Sequence, residues 1–418
     1  MTSMGHYLFR LLASIIALLA GIALFNWFIN PYGYFDAPRL KGINEKSLGF
    51  NHRLRLAKAL AIDKIRPATV IVGNSRAEAG YDADHPGITE RPAYNLAMGG
   101  AGLEEVYRYI LDALDTGQLR HLIIGADFFM FDPSRWSQMP RDESILMTNS
   151  SGSRKKQFHT WGRKARILLS GDSLTDSWWS LTHQTKQVAI YLGSGLRDDA
   201  SDIEQVIREG GHRQAALNVE SNFLATALRD FDLPASQANY KKSLATFRKI
   251  VAVAHSRNIR LTVIINPAHA RSAYLFRSAG LEHAHESWKH DLLTILLETG
   301  QINSTSAFWD FSGVSPCTSE ALPPLGDTST RMTWYRESSH FRAALGSAVV
   351  NKVFMNRETA CPLFGERISD AASLKHQLKA QREALSQWVV DHPIDALEID
   401  RMVHQFGRGI HATPTSRQ

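Results

Sequence analysis

The run Thr69 to Gly73 (TVIVG) is short, apolar and rich in β-branched residues, and Asn74, Ser75 and Arg76 follow it at once. Such a run reads as a buried strand. Ligands of open α/β sheets bind beyond the carboxyl ends of the strands, so the Ser75 hydroxyl is a candidate nucleophile. A helix beginning there would set free backbone N–H groups beside the oxyanion that acyl transfer builds. A serine nucleophile needs a base, and RESSHF offers one, with His340 three positions after Glu337. At that spacing the carboxylate reaches one imidazole nitrogen and leaves the other to take the serine proton. Glycines in NLAMGGAG (Asn95 to Gly102) let the backbone approach a ligand. Gly99 or Gly100 would then donate an oxyanion-hole N–H alongside that of Ser75. Each motif also has a plainer use. A serine after a strand caps a helix, glycines make a turn, and a Glu beside a His is expected by chance among 17 histidines. Position joins them, because each falls at a strand end.

The elements that set those ends are legible as alternating patterns. Strands are expected at Thr69 to Gly73, Ala93 to Met98, His121 to Ala126, Arg260 to Asn266 and Ala307 to Phe311. Helical spacing groups Val106, Ile110 and Leu114, then Tyr240, Leu244, Phe247, Val251 and Ala254 within about Ser236 to Ser256. Further helices are expected near Trp288 to Leu297 and over His340 to Phe354. Repeated strand–helix units imply an α/β domain with a parallel sheet covered on both faces. It occupies residues 36–360, between an anchor over 1–35 and a C-terminal helical extension and tail over 361–418. The stretch 132–238, rich in Ser, Arg, Trp and Gln, reads as an inserted set of helices and loops, either a cap beside the site or a peripheral decoration. The extension reads as two helices broken at His392-Pro393.

Over roughly Thr69 to Phe354 the order of these blocks resembles the SGNH (GDSL-like) hydrolase family. There a Ser follows the first strand, a Gly follows the second, and a D-x-x-H pair precedes the last helix. The match is closest to membrane-anchored or periplasmic relatives that act in O-acetylation of bacterial exopolysaccharides and D-alanylation of cell-wall polymers. The resemblance implies a three-layer, flavodoxin-like fold. It also implies Ser75 as nucleophile, Gly99 or Gly100 as oxyanion donor, His340 as base and Glu337 as its orienter. The sequence departs from the family in two places. The acid is Glu337 rather than Asp, and the third block reads GADFF (Gly125 to Phe129) where the family has G-x-N-D. Ionised Asp127 only accepts hydrogen bonds, so Asn74, Arg76 and Asn266 are the candidate replacement donors.

A literal GDSL lies elsewhere, in LSGDSLTDSW (Leu169 to Trp178). Its Ser173 ranks second as nucleophile, because basic, helix-like residues precede it and no glycine-ended strand follows. Among other rim residues, Asp310 is an alternative orienter for His340, and His269 a candidate substrate ligand. No P-loop, dinucleotide fingerprint or metal-ligand spacing is present, so no cofactor or metal is expected.

The bulk numbers bound the class. Of 418 residues, 44% are hydrophobic and 21% charged, a globular balance. The net charge of +6 is scattered, its longest cluster being Arg154 to Lys156, and no nucleic-acid motif accompanies it. Leu11 to Phe28 carries no charge and is near the minimum for a bilayer-spanning helix, with Trp27, Phe28, Tyr32, Tyr34 and Phe35 at one edge as an aromatic belt. No small-x-small site follows, which favours an uncleaved anchor, ended by Pro31 and Gly33. Arg10 before the run and Arg39, Lys41 and Lys46 after it would by counting keep the large domain in the cytoplasm. The resemblance instead implies the periplasmic face of a bacterial inner membrane. Cys317 and Cys361 read equally as one disulfide of an exported domain or as two reduced thiols. The expected function is a serine-dependent acyl ester hydrolase or O-acyltransferase acting on a cell-envelope or exported polysaccharide, with a membrane-bound acyltransferase as a candidate partner. Rival readings are an inactive protein of the same fold that binds polysaccharide or such a partner, and a structural anchor.

Overall fold

The computed structural model describes residues 3–131, 145–149, 152–153, 160–186, 189–230, 234–357, 361–362 and 364–411. In chain order the elements begin with α1 (Ser3–Ile29), α2 (Gly49–His52), α3 (Leu54–Ile65), β1 (Thr69–Gly73), α4 (Ser75–Gly80), β2 (Ala93–Asn95), α5 (Leu103–Asp115) and β3 (His121–Ala126). Helices α6 (Thr160–Leu169), α7 (Gly171–His183), α8 (Asp199–Arg208), α9 (His212–Asp230) and α10 (Pro234–Ser256) follow. Then come β4 (Arg260–Ile265), α11 (Ala270–Ser278), α12 (Glu282–Glu298), β5 (Ala307–Asp310), α13 (Ala343–Met355), β6 (Glu366–Ile368), α14 (Ala371–Asp391) and α15 (Pro393–His411). The chain divides into two compact units.

The larger unit comprises Pro67–Ile110, Gln118–Arg141 and Gly193–Gln418 and holds a six-stranded sheet in the order β2-β1-β3-β4-β5-β6. Strands β1 to β5 are all parallel. β1 and β3 are buried at every residue, as strands covered on both faces must be. β1 lies between β2 and β3, so the chain turns to opposite sides on leaving β1 and on returning to β3. That reversal opens a crevice at the carboxyl ends of these two strands.

Two expectations about the sheet need correction. The second strand was expected to reach Met98 but ends at Asn95. The buried Asn95 side chain donates to the carbonyls of Ala77 and Tyr81 at 2.9 and 2.7 Å, tying down the end of α4, while Leu96 and Met98 beyond it still donate to the Ile71 and Gly73 carbonyls of β1. The C-terminal extension, expected as two helices and a tail, also contributes β6, which pairs antiparallel with β5. Only Ile368 of its three residues is buried, so it carries no readable strand period.

Buried ion pairs fasten the C-terminal helices to this unit. Lys289 on α12 donates at 2.8 Å to each of Asp310, Ser312 and Gln381, using all three ammonium protons. Burial alone would raise the Asp310 pKa, yet Lys289 and Ser312 hold it below the ordinary value. Asp310 is therefore committed to Lys289 and does not orient His340. Arg271 on α11, fully buried, grips Glu220 on α9 through two bonds of 2.9 and 2.7 Å and reaches Asp395 and Glu398 on α15. A Cys317–Cys361 disulfide joins the loop after β5 to the segment after α13, settling the choice the sequence left open.

The smaller unit comprises Met1–Arg66, Leu111–Gly117 and Asp142–Leu192, so the stretch 132–238 is shared between the two units. Its core gathers Tyr32, Tyr34, Ala57, Leu60 and Ile167. Asp176 on α7 accepts from the Tyr32 hydroxyl at 2.5 Å and from Arg53 at 2.6 Å. In α1 the stretch Met4–Ile29 holds an 18-residue window with a mean hydropathy of 2.4 and is long and apolar enough to cross a membrane. The expected cluster Arg154 to Lys156 lies outside the described residues.

Candidate active site

Ser75 is the first residue of α4, directly beyond β1. The Asn74 side chain caps that helix by accepting the Arg76 N–H at 3.0 Å. This holds Ser75 at the reversal point of the sheet with its own N–H among the unpaired amides of a first turn. The Ser75 Oγ lies 2.8 Å from His340 Nε2. The other ring nitrogen, Nδ1, bonds the Glu337 carboxylate. A proton on Nδ1 then leaves Nε2 free to accept from the serine.

His340 was expected to begin the last helix, but α13 starts at Ala343. His340 sits instead on a turn closed by an antiparallel bridge between Tyr335 and Phe341, with the Arg336 N–H donating to the His340 carbonyl at 2.9 Å. The turn is held from outside as well. Glu320 accepts the N–H groups of Thr333 and Trp334 at 2.5 and 2.8 Å, and Ser272 donates to the Ser338 carbonyl. Glu337 is 1% exposed and accepts the N–H groups of Ser339 and His340 at 2.6 and 3.1 Å. Burial alone would raise its pKa. His340, Arg336 and the Ser339 amide outweigh that and bring it to about 2.

Close backbone packing sets the serine–histidine distance. A Cβ placed on Gly346 of α13 would fall 1.7 Å from the Gly80 carbonyl oxygen of α4, and one on Gly80 would fall 1.8 Å from the Phe341 ring. The helix that begins with Ser75 thus rests on the residue after His340 and on the helix that follows it. Gly346→Ala is expected to lower unfolding stability by about 1–3 kcal/mol through overpacking, although alanine is the better helix former. Any Ser75-dependent turnover should fall with it. Thermal melts and rates compared with Ser347→Ala, a change on the same helix, check this.

The loop after β2 supplies the remaining wall. A Cβ on Gly99 would lie 3.9 Å from that of Ser75, and Gly100, with φ of +70°, lines the same cleft. The cleft is a cavity of about 230 Å³ that also touches Asn74, Arg76 and His340. Its apolar side is Phe129, Phe223 and Phe276, with ring centroids 4.9, 5.2 and 5.4 Å apart.

Other sequence candidates are placed differently. Arg76 lines the cleft, but its Nη1 pairs with Asp127 at 2.8 Å and its other nitrogens face Ser339 Oγ at 3.2 and 3.3 Å. Asn266 donates to Asp127 at 2.7 Å and accepts from the buried Tyr81 hydroxyl at 2.8 Å. It lines a second cavity, of about 60 Å³, rather than the serine cleft. Asp127 is the residue the sequence reading undervalued: it receives Arg76 and Asn266 together beside Ser75. Its position at the end of β3 was the available signal. His269 caps α11 and bonds the Glu320 carbonyl at 2.8 Å, and burial lowers its pKa to about 4, so it is a neutral structural group. Ser173 lies in the first turn of α7, capped by Ser170, whose hydroxyl donates to its Oγ at 2.8 Å. Among the described residues, no cluster of three or more His, Cys, Asp or Glu is placed to hold a metal.

Compared with family models and with curated proteins, the chain matches none of them.

Proposed function

We propose that this protein is a serine-dependent acyl ester hydrolase or O-acyltransferase of the SGNH type. The observation that carries the reading is the hydrogen-bonded chain Ser75 Oγ–His340 Nε2, His340 Nδ1–Glu337, set at the sheet's reversal point. The strand order 2-1-3-4-5 favours the flavodoxin-like form of the fold.

In this mechanism Ser75 Oγ attacks the ester carbonyl carbon while His340 Nε2 takes the hydroxyl proton. The carbonyl oxygen becomes an oxyanion beside the Ser75 N–H and the glycine loop at Gly99 and Gly100. The C–O bond then breaks, and the leaving alkoxide takes the proton from His340. Water or a sugar hydroxyl reverses these steps to release the acyl group. Ionised Glu337 stabilises the imidazolium formed in each half. Asn266 and Asp127 serve to hold Arg76, whose charge borders the cleft, and the three phenylalanines offer a dry surface to the acyl group or leaving group.

An envelope or exported polysaccharide is the proposed substrate or acceptor. The apolar α1 and the disulfide support an anchored domain on the oxidising, periplasmic side of a bacterial inner membrane. A membrane-bound acyltransferase remains the proposed donor-side partner. The rival, a non-catalytic polysaccharide-binding protein, draws on one observation: the position that offers an Asn donor in the family holds Asp127, paired to Arg76.

A fluorophosphonate probe tests the choice. It should attach covalently to Ser75 of the full chain, found by mass of the modified peptide, and p-nitrophenyl acetate turnover should stop in step. An unmodified Ser75 with no turnover favours the binding reading. Modification of Ser173 instead would transfer the site to the literal GDSL.

A further inference from the structure

We propose that the segment containing the literal GDSL is a membrane-seating surface: α7, with the loop over residues 38–44, lies in the lipid headgroup layer around the exit of α1. The proposal rests on α1 crossing a bilayer, and on nothing in the catalytic reading.

The carrying observation is that α7 turns a wholly polar face inward and leaves two large apolar side chains outside. It buries Ser173, Asp176, Ser177 and Ser180, each 5% exposed or less. It exposes Leu174 and Trp178, at 36% and 63%, alongside Asp172, Thr175 and Thr182. Leu174 and Trp178 are one turn apart and share a face. A helix in water normally presents the opposite pattern. The inversion is satisfied where the outer face meets lipid and the inner face meets protein, as for a helix in the interfacial plane.

The height of α7 relative to a bilayer follows from α1. Leu8 to Trp27 spans about 30 Å at 1.5 Å per residue, which matches a hydrocarbon core of about 30 Å. Arg10 lies near the start of that span, where its long side chain can reach the headgroups. Trp27 then marks the far boundary, where tryptophan is favoured. Two hydrogen bonds carry that level into the rest of the smaller unit. Asn26 donates to the Leu168 carbonyl at the end of α6 at 2.8 Å, and Asn44 donates to the Phe28 carbonyl at 2.6 Å. The α6–α7 junction and the 38–44 loop are therefore held at the boundary, where such polar groups can sit. Both expose apolar side chains there: Leu169 at 45%, Leu40 at 47% and Ile43 at 38%. Lys41 stands exposed between the last two, as suits contact with anionic lipid.

The test uses the full chain in nanodiscs of phosphatidylethanolamine and phosphatidylglycerol. Single cysteines at Ile16, Leu174 and Trp178 carry a nitroxide, the native cysteines being disulfide-bonded. Collision with oxygen and with a water-soluble nickel chelate reports depth. The expected result is a deep label in Ile16→Cys, with labels in Leu174→Cys and Trp178→Cys losing most of their nickel collisions while gaining oxygen collisions. Labels at 174 and 178 as open to nickel as a free nitroxide, with Ile16→Cys deep, would overturn the seating while leaving the anchor intact. Labels shielded from both reagents would mean that a protein covers α7, which also overturns it. A nickel-accessible label at position 16 would remove the membrane premise itself. None of these results touches Ser75.

Discussion

Ser75→Ala should lower turnover of an activated acyl ester by about 10⁴- to 10⁶-fold, with no loss of fold. The size follows from what a nucleophile of this kind supplies: without it, only binding and oxyanion stabilisation remain. A loss of 10⁶-fold corresponds to about 8 kcal/mol of transition-state stabilisation. The structure should tolerate the change, because the cap on α4 belongs to the Asn74 side chain and the Arg76 N–H, not to the serine hydroxyl. The melting midpoint should therefore stay within about a degree or two of wild type, as for changes that remove no buried contact. His340→Ala should cost a similar factor. The double variant should lose little beyond either single one, because hydroxyl and imidazole act as one unit. Independent, multiplying losses would mean that the 2.8 Å contact does not operate in the reaction. Ser173→Ala should keep wild-type rates, since that hydroxyl is occupied within a capped helix turn. Steady-state rates on the four variants, each checked by circular dichroism, decide the matter. Full activity in Ser75→Ala would end the catalytic proposal.

How much of this was legible depended on whether local pattern or distant packing set each feature. The strands β1, β3 and β4 were readable because they are continuous apolar runs, buried on nearly every residue. Ser75, Glu337 and His340 could be picked out because each lies at a strand end or beside a helix start, so chain order implied convergence. What failed depends on contacts far apart in sequence. Asp310 looked like an orienter by position, but Lys289, on α12, claims it. Asn266 looked like an oxyanion donor, but Tyr81 and Asp127 occupy its amide from two other elements. The Gly80–Gly346 contact that sets the serine–histidine distance spans most of the domain, and neither glycine carries a local signature. His340 was misplaced onto a helix because SSHFRAAL reads as a helix start. A bridge between Tyr335 and Phe341 delays that start to Ala343. The literal GDSL, ranked second because helix-like residues surround it, does lie on a helix, α7, whose buried face is polar.

Glu337→Gln should lower kcat by about 10³- to 10⁴-fold with a much smaller change in KM, the effect expected when a carboxylate that steadies an imidazolium is made neutral. The glutamine keeps the length and one oxygen, so the ground-state fit of the ester is little altered. What it loses is the charge that faces His340 as the proton arrives. One change should also show in stability. The Glu337 carboxylate accepts two backbone N–H groups and the ring nitrogen together. A glutamine has one acceptor oxygen for these three donors, and a buried N–H left unpaired costs about 1–3 kcal/mol. The pH dependence separates this from a generic defect. The folded-state pKa of about 2 lies below the unfolded value of a glutamate, near 4.3. Ionised Glu337 therefore stabilises the fold at all pH above that unfolded value. Its contribution, on the order of 3 kcal/mol, is lost progressively as pH falls from about 4.3 through about 2. The variant has no such group to protonate. The stability gap between wild type and Glu337→Gln, read from urea unfolding, should be constant above about pH 5 and narrow below about pH 4. A gap that stays constant down to pH 3 would show that Glu337 is not held ionised by His340 and Arg336. The low-pKa carboxylate would then no longer support a charged partner for the base, whatever the kcat.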